Sequence, residues 1–195
     1  NIRAAGAVIH SCAPTQAARE AKTRELLVTL GASLVHPYED PLVMAGQGTA
    51  ALELLHTVQG LDAVIAPIGG GGLVSGTAIA LDPTDVALYG VEPEGAADTV
   101  ASLAAGARVT DIVPDTLCDG LRALIGVPNL AIIAKHVQQV LTVSDAQCLA
   151  AQVLASEHLK MVIEPSSATV LAAVLANPLL FKGKRLGLIL TGGNV

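Results

Sequence analysis

Aromatic and charged residues are scarce in this sequence, and their scarcity narrows the classes of protein to which it can belong. Tyr38, Tyr89 and Phe181 are the three aromatic residues among 195, and charged residues make up 14%. So few aromatic side chains argue against a stacking surface for single-stranded nucleic acid. Hydrophobic residues make up 52%, which is enough to bury a large core and argues against a disordered chain.

Basic patches and long apolar runs are also missing. The net charge is −6, and lysine and arginine are scattered apart from Lys182, Lys184 and Arg185, so we expect no nucleic-acid partner. The longest apolar runs, such as residues 186–190, have the length of a β-strand and do not approach a transmembrane span. We therefore expect no membrane association.

Cysteine is rare, and its spacing does not suggest a disulfide framework. Cys12, Cys118 and Cys148 are widely separated, and no Cys-x-x-Cys occurs. The five histidines also lack the spacing of metal ligands. This usage is typical of reduced, mostly structural thiols, and it predicts a cytoplasmic protein.

Apolar runs of strand length alternate with segments of helical periodicity. This alternation predicts an α/β fold with a twisted parallel sheet and helices on both faces. Pro37 and Pro41 are expected to bracket a loop. Helices are expected at residues 15–30, 48–59, 73–81, 129–136, 144–159 and 166–176, and strands at 34–36, 63–67, 87–91 and 186–191.

The strongest chemical signal is a run of four glycines after the strand predicted at residues 63–67, namely Gly69, Gly70, Gly71 and Gly72. Without side chains in the way, backbone N–H groups can converge on a phosphate at the start of the next helix. The alternative is a tight turn with close helix packing. Nucleotide loops fit less well, because a P-loop needs lysine where Thr77 stands and a dinucleotide loop needs glycine where Ser75 stands.

Other short motifs accompany the glycine run in a fixed order. They are Ala45-Gly46-Gln47-Gly48-Thr49, Glu92-Pro93, Asp119-Gly120, Ile163-Glu164-Pro165 and Thr191-Gly192-Gly193-Asn194-Val195. In order and spacing they resemble the fold-type II pyridoxal-phosphate enzymes, the tryptophan synthase beta-like family. The similarity covers nearly the whole chain, and it is greatest to serine racemases and to serine, threonine and threo-3-hydroxyaspartate dehydratases.

The resemblance implies a cofactor, a substrate class and roles for particular residues. Pyridoxal 5'-phosphate would be bound with its phosphate on residues 69–72 and Leu73, and Thr191 would face the pyridine nitrogen. A neutral hydroxyl there leaves that nitrogen unprotonated, which suits elimination of a β-hydroxyl group. The implied enzyme is an ammonia-lyase (dehydratase) that converts a small hydroxy-amino acid such as threonine or serine to a 2-oxo acid and ammonia. Serine racemase activity is a possible accompaniment, and a homodimer is the implied assembly.

The resemblance also implies a divalent-metal site after the strand at 87–91. Glu92 and Asp98 are carboxylates six residues apart, with the backbone carbonyl of Ala96 between them. Such oxygen ligands suit Mg²⁺, Ca²⁺ or Mn²⁺, and the matching segment of serine racemase-like enzymes holds a divalent cation. The alternative is a solvated acidic loop, which the neighbouring Glu94 favours.

One departure from the family concerns its catalytic lysine, which the resemblance places upstream of this sequence. None of the lysines present stands in the matching context; they are Lys22, Lys135, Lys160, Lys182 and Lys184. We therefore expect a fragment, inactive by itself, with residues 1–37 as the tail of a smaller domain and 38–195 as an incomplete large domain. The alternative from another class is a non-catalytic α/β module that binds phosphate or a nucleotide.

Overall fold

The computed structural model describes residues 2–194, and the chain divides into two units, Asn1–Val35 and His36–Val195. The first unit contains a short 3₁₀ turn, Arg3–Ala5, and helix α1, Gln16–Leu30. The Thr15 hydroxyl accepts the N–H of Ala18 at 3.2 Å and so caps the start of α1. That this unit is the tail of a smaller domain stays a prediction.

The second unit is a four-stranded parallel sheet covered by helices. The strand order is β3-β2-β1-β4, and every pairing is parallel, which confirms the predicted fold class. Its strands are β1 Ala63–Pro67, β2 Ala87–Pro93, β3 Gln139–Val143 and β4 Leu186–Leu188. Its helices are α2 Pro41–Thr57, α3 Gly72–Leu81, α4 Asp98–Ala105, α5 Val127–His136, α6 Asp145–Leu154 and α7 Pro165–Ala176. Short turns are the 3₁₀ segments Glu94–Ala96 and Asp119–Leu121 and a π-helical turn, Ala155–Leu159, directly after α6.

The two faces of the sheet carry separate hydrophobic cores. Side chains alternate between faces along a strand, so Ala63 and Ile65 of β1 pack with α6 and α7, whereas Val64 and Ala66 pack with α3 and α5. All five residues of β1 are buried. An entirely apolar central strand is therefore explained by cover on both sides.

Helices α2 and α3 approach each other closely at Gly48 and Gly76. A Cβ added to Gly48 would lie 2.6 Å from the carbonyl oxygen of Gly76, and one added to Gly76 would overlap the carbonyl oxygen of Met44. Two backbones can come this close only where neither residue has a side chain. The contact fixes the position of α3, which begins at the end of the glycine run.

The sequence prediction was wrong at several element boundaries. Helix α2 begins at Pro41 rather than at residue 48, because Asp40 accepts the N–H groups of Leu42 and Val43 and so caps the helix directly after the loop that Pro37 and Pro41 bracket. The expected strand at residues 34–36 has no regular structure. No helix within residues 2–194 has both the length and the apolar character needed to cross a membrane.

Candidate cofactor site at the carboxyl edge of the sheet

Three of the motif segments lie at one edge of the sheet. The glycine run follows β1, the acidic segment, residues 92–98, begins at the end of β2, and Thr191 comes shortly after β4. Because β1 pairs in parallel with β2 on one side and with β4 on the other, the carboxyl ends of all three strands meet at the same edge. The glycine run therefore lies between the acidic segment and Thr191, where ligands of α/β sheets bind.

The glycine run ends in unpaired backbone donors. Gly71 has φ +94° and is the N-cap of α3. The N–H groups of Gly72 and Leu73 belong to the first turn of α3, which has no acceptors within the helix. Over residues 2–194 the structure shows no backbone acceptor for the N–H groups of Gly69, Gly70 and Gly71. Five successive donors at a helix N-terminus fit a phosphate group.

The glycine run is enclosed by segments that are distant in the sequence. A Cβ on Gly69 would lie 3.1 Å from the carbonyl oxygen of Gly120, and one on Gly72 would lie 2.6 Å from Oε1 of Gln47. A Cβ on Gly70 would overlap the ring of Tyr38. Two of the motifs recognised in the sequence, at residues 45–49 and 119–120, therefore contact this loop directly.

Thr191 lies in a segment that is tied to the start of α7. Its N–H donates to Oγ of Ser167 at 2.9 Å. The N–H of Asn194 donates to Oε2 of Glu164 at 3.0 Å, and the N–H of Glu164 donates to the carbonyl oxygen of Gly192 at 2.9 Å. The motifs at 163–165 and 191–194 thus form one contact region, while Val195 lies outside the described residues.

Glu92 and Asp98 are buried rather than solvated, which excludes the solvated acidic loop. Glu92 is 0% exposed, and its two carboxylate oxygens accept the N–H groups of Thr99 and Val100, each at 3.0 Å. Glu92 therefore caps the first turn of α4, a role that the sequence did not predict. Asp98 is 2% exposed, and its Oδ2 accepts the N–H of Ile125 at 2.7 Å.

Burial shifts the protonation of both carboxyl groups. It raises the pKa of Glu92 from 4.5 to about 7, although the N–H groups of Thr99 and Val100 oppose the shift and the nearby charge of Asp98 adds to it. Burial also raises the pKa of Asp98, against the hydrogen bond from Ile125. Across the described part of the chain, the structure shows no group of three or more His, Cys, Asp or Glu side chains that could hold a metal ion. A cation here would therefore also need the carbonyl of Ala96, which is 1% exposed, and water.

Two residues next to the glycine run were missed by the sequence reasoning. Tyr38 packs its ring on Gly70, and Asn129, at the start of α5, lies against Gly71. Neither residue belongs to a motif. For Asn129 the only signal in the sequence is its place as the first residue of the helix predicted over residues 129–136.

Known proteins match this chain over nearly its whole length. The family described as pyridoxal-phosphate dependent enzyme matches residues 1–192. Beta-hydroxyaspartate dehydratase of Paracoccus denitrificans is 44% identical over 196 residues, covering 100% of this chain and 62% of that protein. Serine racemase of Dictyostelium discoideum is 42% identical, covering 97% of this chain and 60% of that protein.

Solved structures agree with the sequence matches. Maize serine racemase has a TM-score of 0.94 to this chain at 35% identity, covering 100% of this chain and 61% of the maize protein. The chain therefore spans about 60% of the length of its relatives.

Proposed function

The chain belongs to the family of pyridoxal-phosphate-dependent enzymes, and on this premise we propose that the whole protein eliminates water from a small hydroxy-amino acid. The products of this reaction are a 2-oxo acid and ammonia. Serine racemisation is proposed as an accompanying activity. The observation that carries the proposal is the row of unpaired N–H groups at residues 69–73. The relatives named as a hydroxyaspartate dehydratase and as serine racemases support the substrate class.

We assign the contacts of the cofactor to the carboxyl edge of the sheet. The backbone N–H groups of residues 69–73 hold the phosphate, and the α3 dipole adds to the attraction. The Thr191 hydroxyl would face the pyridine nitrogen and, being neutral, would not favour its protonation. When bound, pyridoxal phosphate supplies the electron sink for removal of the α-proton and loss of the hydroxyl group. The protein residues position it and keep its phosphate away from water.

We further propose that these 195 residues have no dehydratase activity by themselves. None of the lysines present stands in the context that the family resemblance gives to its catalytic lysine, and the chain spans 60% to 62% of the length of the curated relatives cited above. A homodimer in the cytoplasm is the assembly we propose for the whole protein, by resemblance to the family. The three free cysteines are consistent with a reducing compartment.

A substitution in the first turn of α3 tests the phosphate site without straining the loop. Leu73 is half-buried, and an aspartate there is favourable at a helix N-terminus. We expect Leu73→Asp to keep the full-length protein folded but to weaken pyridoxal-phosphate binding by about tenfold or more, because the new charge repels the phosphate. The matched control is Leu179→Asp, which makes the same replacement at an exposed leucine in the turn between α7 and β4.

Equilibrium dialysis with pyridoxal phosphate measures both variants, and ATP and inorganic phosphate serve as competitors. Unchanged affinity in Leu73→Asp would remove the glycine loop as the phosphate site. Preferential binding of ATP over pyridoxal phosphate by the wild type would instead support the non-catalytic nucleotide-binding module. Production of a 2-oxo acid from serine or threonine by the full-length protein tests the reaction itself.

We also propose that Glu92, Asp98 and the carbonyl of Ala96 bind one Mg²⁺, with Ca²⁺ or Mn²⁺ as substitutes. Support comes from two buried carboxyl groups that form no salt bridge within residues 2–194, since buried charges are normally paired or bound to metal. The charge of Asp98 adds to the raised pKa of Glu92, whereas the charge of Arg108 acts to lower the pKa of Asp98.

The test compares thermal stability with Mg²⁺ and with a chelator. Mg²⁺ should raise the midpoint of unfolding of the wild type and of Asp85→Asn, an exposed control, but not that of Asp98→Asn. The variant amide oxygen can still accept the N–H of Ile125, so the local fold is kept. An equal Mg²⁺ response in Asp98→Asn would place the cation elsewhere.

A further inference from the structure

We propose that Asn129 is a positioning residue for the cofactor loop: its side-chain amide holds residues 69–72 in the shape that binds the phosphate. The inference rests on the proposed function and deepens it. Asn129 lies in the first turn of α5 and is 0% exposed. No ligand can touch it directly, so its action has to pass through the residues it contacts.

The amide of Asn129 links segments on two sides of the loop. Its Nδ2 donates to the backbone oxygen of Tyr38 at 2.9 Å and to Oγ of Ser75 at 3.1 Å, and it also lies 3.3 Å from Sδ of Met44, a weaker acceptor. A backbone carbonyl can only accept, so the contact with Tyr38 fixes which end of the amide carries the nitrogen. Tyr38 comes just before α2 and packs on Gly70, whereas Ser75 lies in the first turn of α3.

The start of α5 also contacts the loop directly. A Cβ on Gly71 would lie 2.7 Å from Cβ of Asn129 and 2.5 Å from Cδ1 of Ile125. The N–H of Gly126 donates to the carbonyl oxygen of Gly70 at 3.0 Å. This hydrogen bond uses the oxygen side of that peptide and leaves the N–H groups of the loop free for an anion. Asn129 and its neighbours thus determine where both central glycines lie.

An unpaired atom separates this role from simple packing. Oδ1 of Asn129 is buried and has no hydrogen-bond partner among the described residues. An unsatisfied buried acceptor destabilises a fold, so packing alone would favour an apolar residue of the same size. The donors on Nδ2 are what an asparagine offers at this position, and both of them act on the boundaries of the loop.

The experiment measures the affinity of the full-length protein for pyridoxal 5'-phosphate and for pyridoxal, which lacks the phosphate. In Asn129→Leu, which keeps the branched shape and the number of side-chain heavy atoms and removes the donors, we expect pyridoxal-phosphate affinity to fall by about tenfold and pyridoxal affinity to stay unchanged. Ser75→Ala, which suits a helix, should give a smaller loss in the same direction, and the double variant should be no worse than Asn129→Leu. The control is Asn177→Leu, whose amide donates to the carbonyl of Ala173 at the end of α7.

Each outcome decides whether Asn129 positions the loop or only fills space in the core. The deciding quantity is the affinity for pyridoxal phosphate divided by the affinity for pyridoxal. A fall in this ratio in Asn129→Leu or Ser75→Ala, absent in the control, supports the positioning role. An unchanged ratio, whether both affinities hold or fall together, would overturn it, even if the variants are less stable. If the wild type itself binds pyridoxal no more weakly than pyridoxal phosphate, the proposed phosphate site fails before the role of Asn129 arises. Should Asn129→Leu not fold, Ser75→Ala alone gives the same readout.

Discussion

Two glycines in one helix should respond in opposite ways to the same substitution. Gly46 and Gly48 both lie within α2, but an added Cβ meets nothing within 4 Å at Gly46, and meets the carbonyl oxygen and carbon of Gly76 at 2.6 and 2.9 Å at Gly48. Gly46→Ala should raise the free energy of unfolding by about 0.5–1 kcal/mol, because alanine is the better helix former.

Gly48→Ala receives the same benefit of helix propensity but has to push α2 away from α3. Overpacking of this kind costs about 1–3 kcal/mol, and here the obstacle is backbone rather than a flexible side chain. Since helix propensity cancels between the two variants, their difference in free energy of unfolding, about 1–3 kcal/mol, measures the helix–helix contact. Urea denaturation followed by far-ultraviolet circular dichroism provides both values. If Gly48→Ala were as stable as Gly46→Ala, the close approach of α2 and α3 would be refuted.

Three further predictions follow from individual side chains. Burial raises the pKa of Glu92 from 4.5 to about 7, so ionising this residue in the folded state costs free energy. The contribution of Glu92 to the free energy of unfolding should therefore be complete below pH 4.5 and be lost as the pH rises to about 7. In the absence of divalent cations, Glu92→Gln should lack this part of the pH dependence in urea denaturation; parallel profiles would show that Glu92 is not its source. Ser144→Ala removes the capping box of α6 and should lower the free energy of unfolding by about 1 kcal/mol; a change within measurement error would argue against the cap. A thiol reagent should label Cys12 alone in the folded protein and all three cysteines after unfolding, since Cys118 and Cys148 are buried; rapid labelling of a second thiol would contradict this burial.

Local sequence signals predicted the central part of the fold well. The apolar run at residues 63–67 coincides with β1, and the glycine run after it ends at α3. Thr15 and Ser144 were marked as helix starts, and each caps a helix. In these places the determining interaction lies within a few residues, so the sequence pattern contains it.

Elements that depend on distant partners were missed or misplaced. The sequence did not predict β3, because Gln139 and Thr142 interrupt its apolar character; pairing with β2 makes it a strand. Helix α4 was missed because its cap, Glu92, comes from the preceding strand and was interpreted only as a possible metal ligand. Asn129 has no signature in the sequence, since it forms its hydrogen bonds with Tyr38 and Ser75, which lie 91 and 54 positions before it.

The sheet order has a consequence for how the protein folds as it is synthesised. Strand β1 lies between β2 and β4, and the hydrogen bond from Arg185 N–H to Asp62 Oδ2 at its entrance joins residues 123 positions apart. A nascent chain can pair β1 with β2 early, but the other edge of β1 stays open until β4 has been made. Contacts so far apart in the sequence slow folding, and an open apolar edge invites association with other chains. The strand that precedes the glycine run therefore keeps one edge open to association with other chains for most of the synthesis of the second unit.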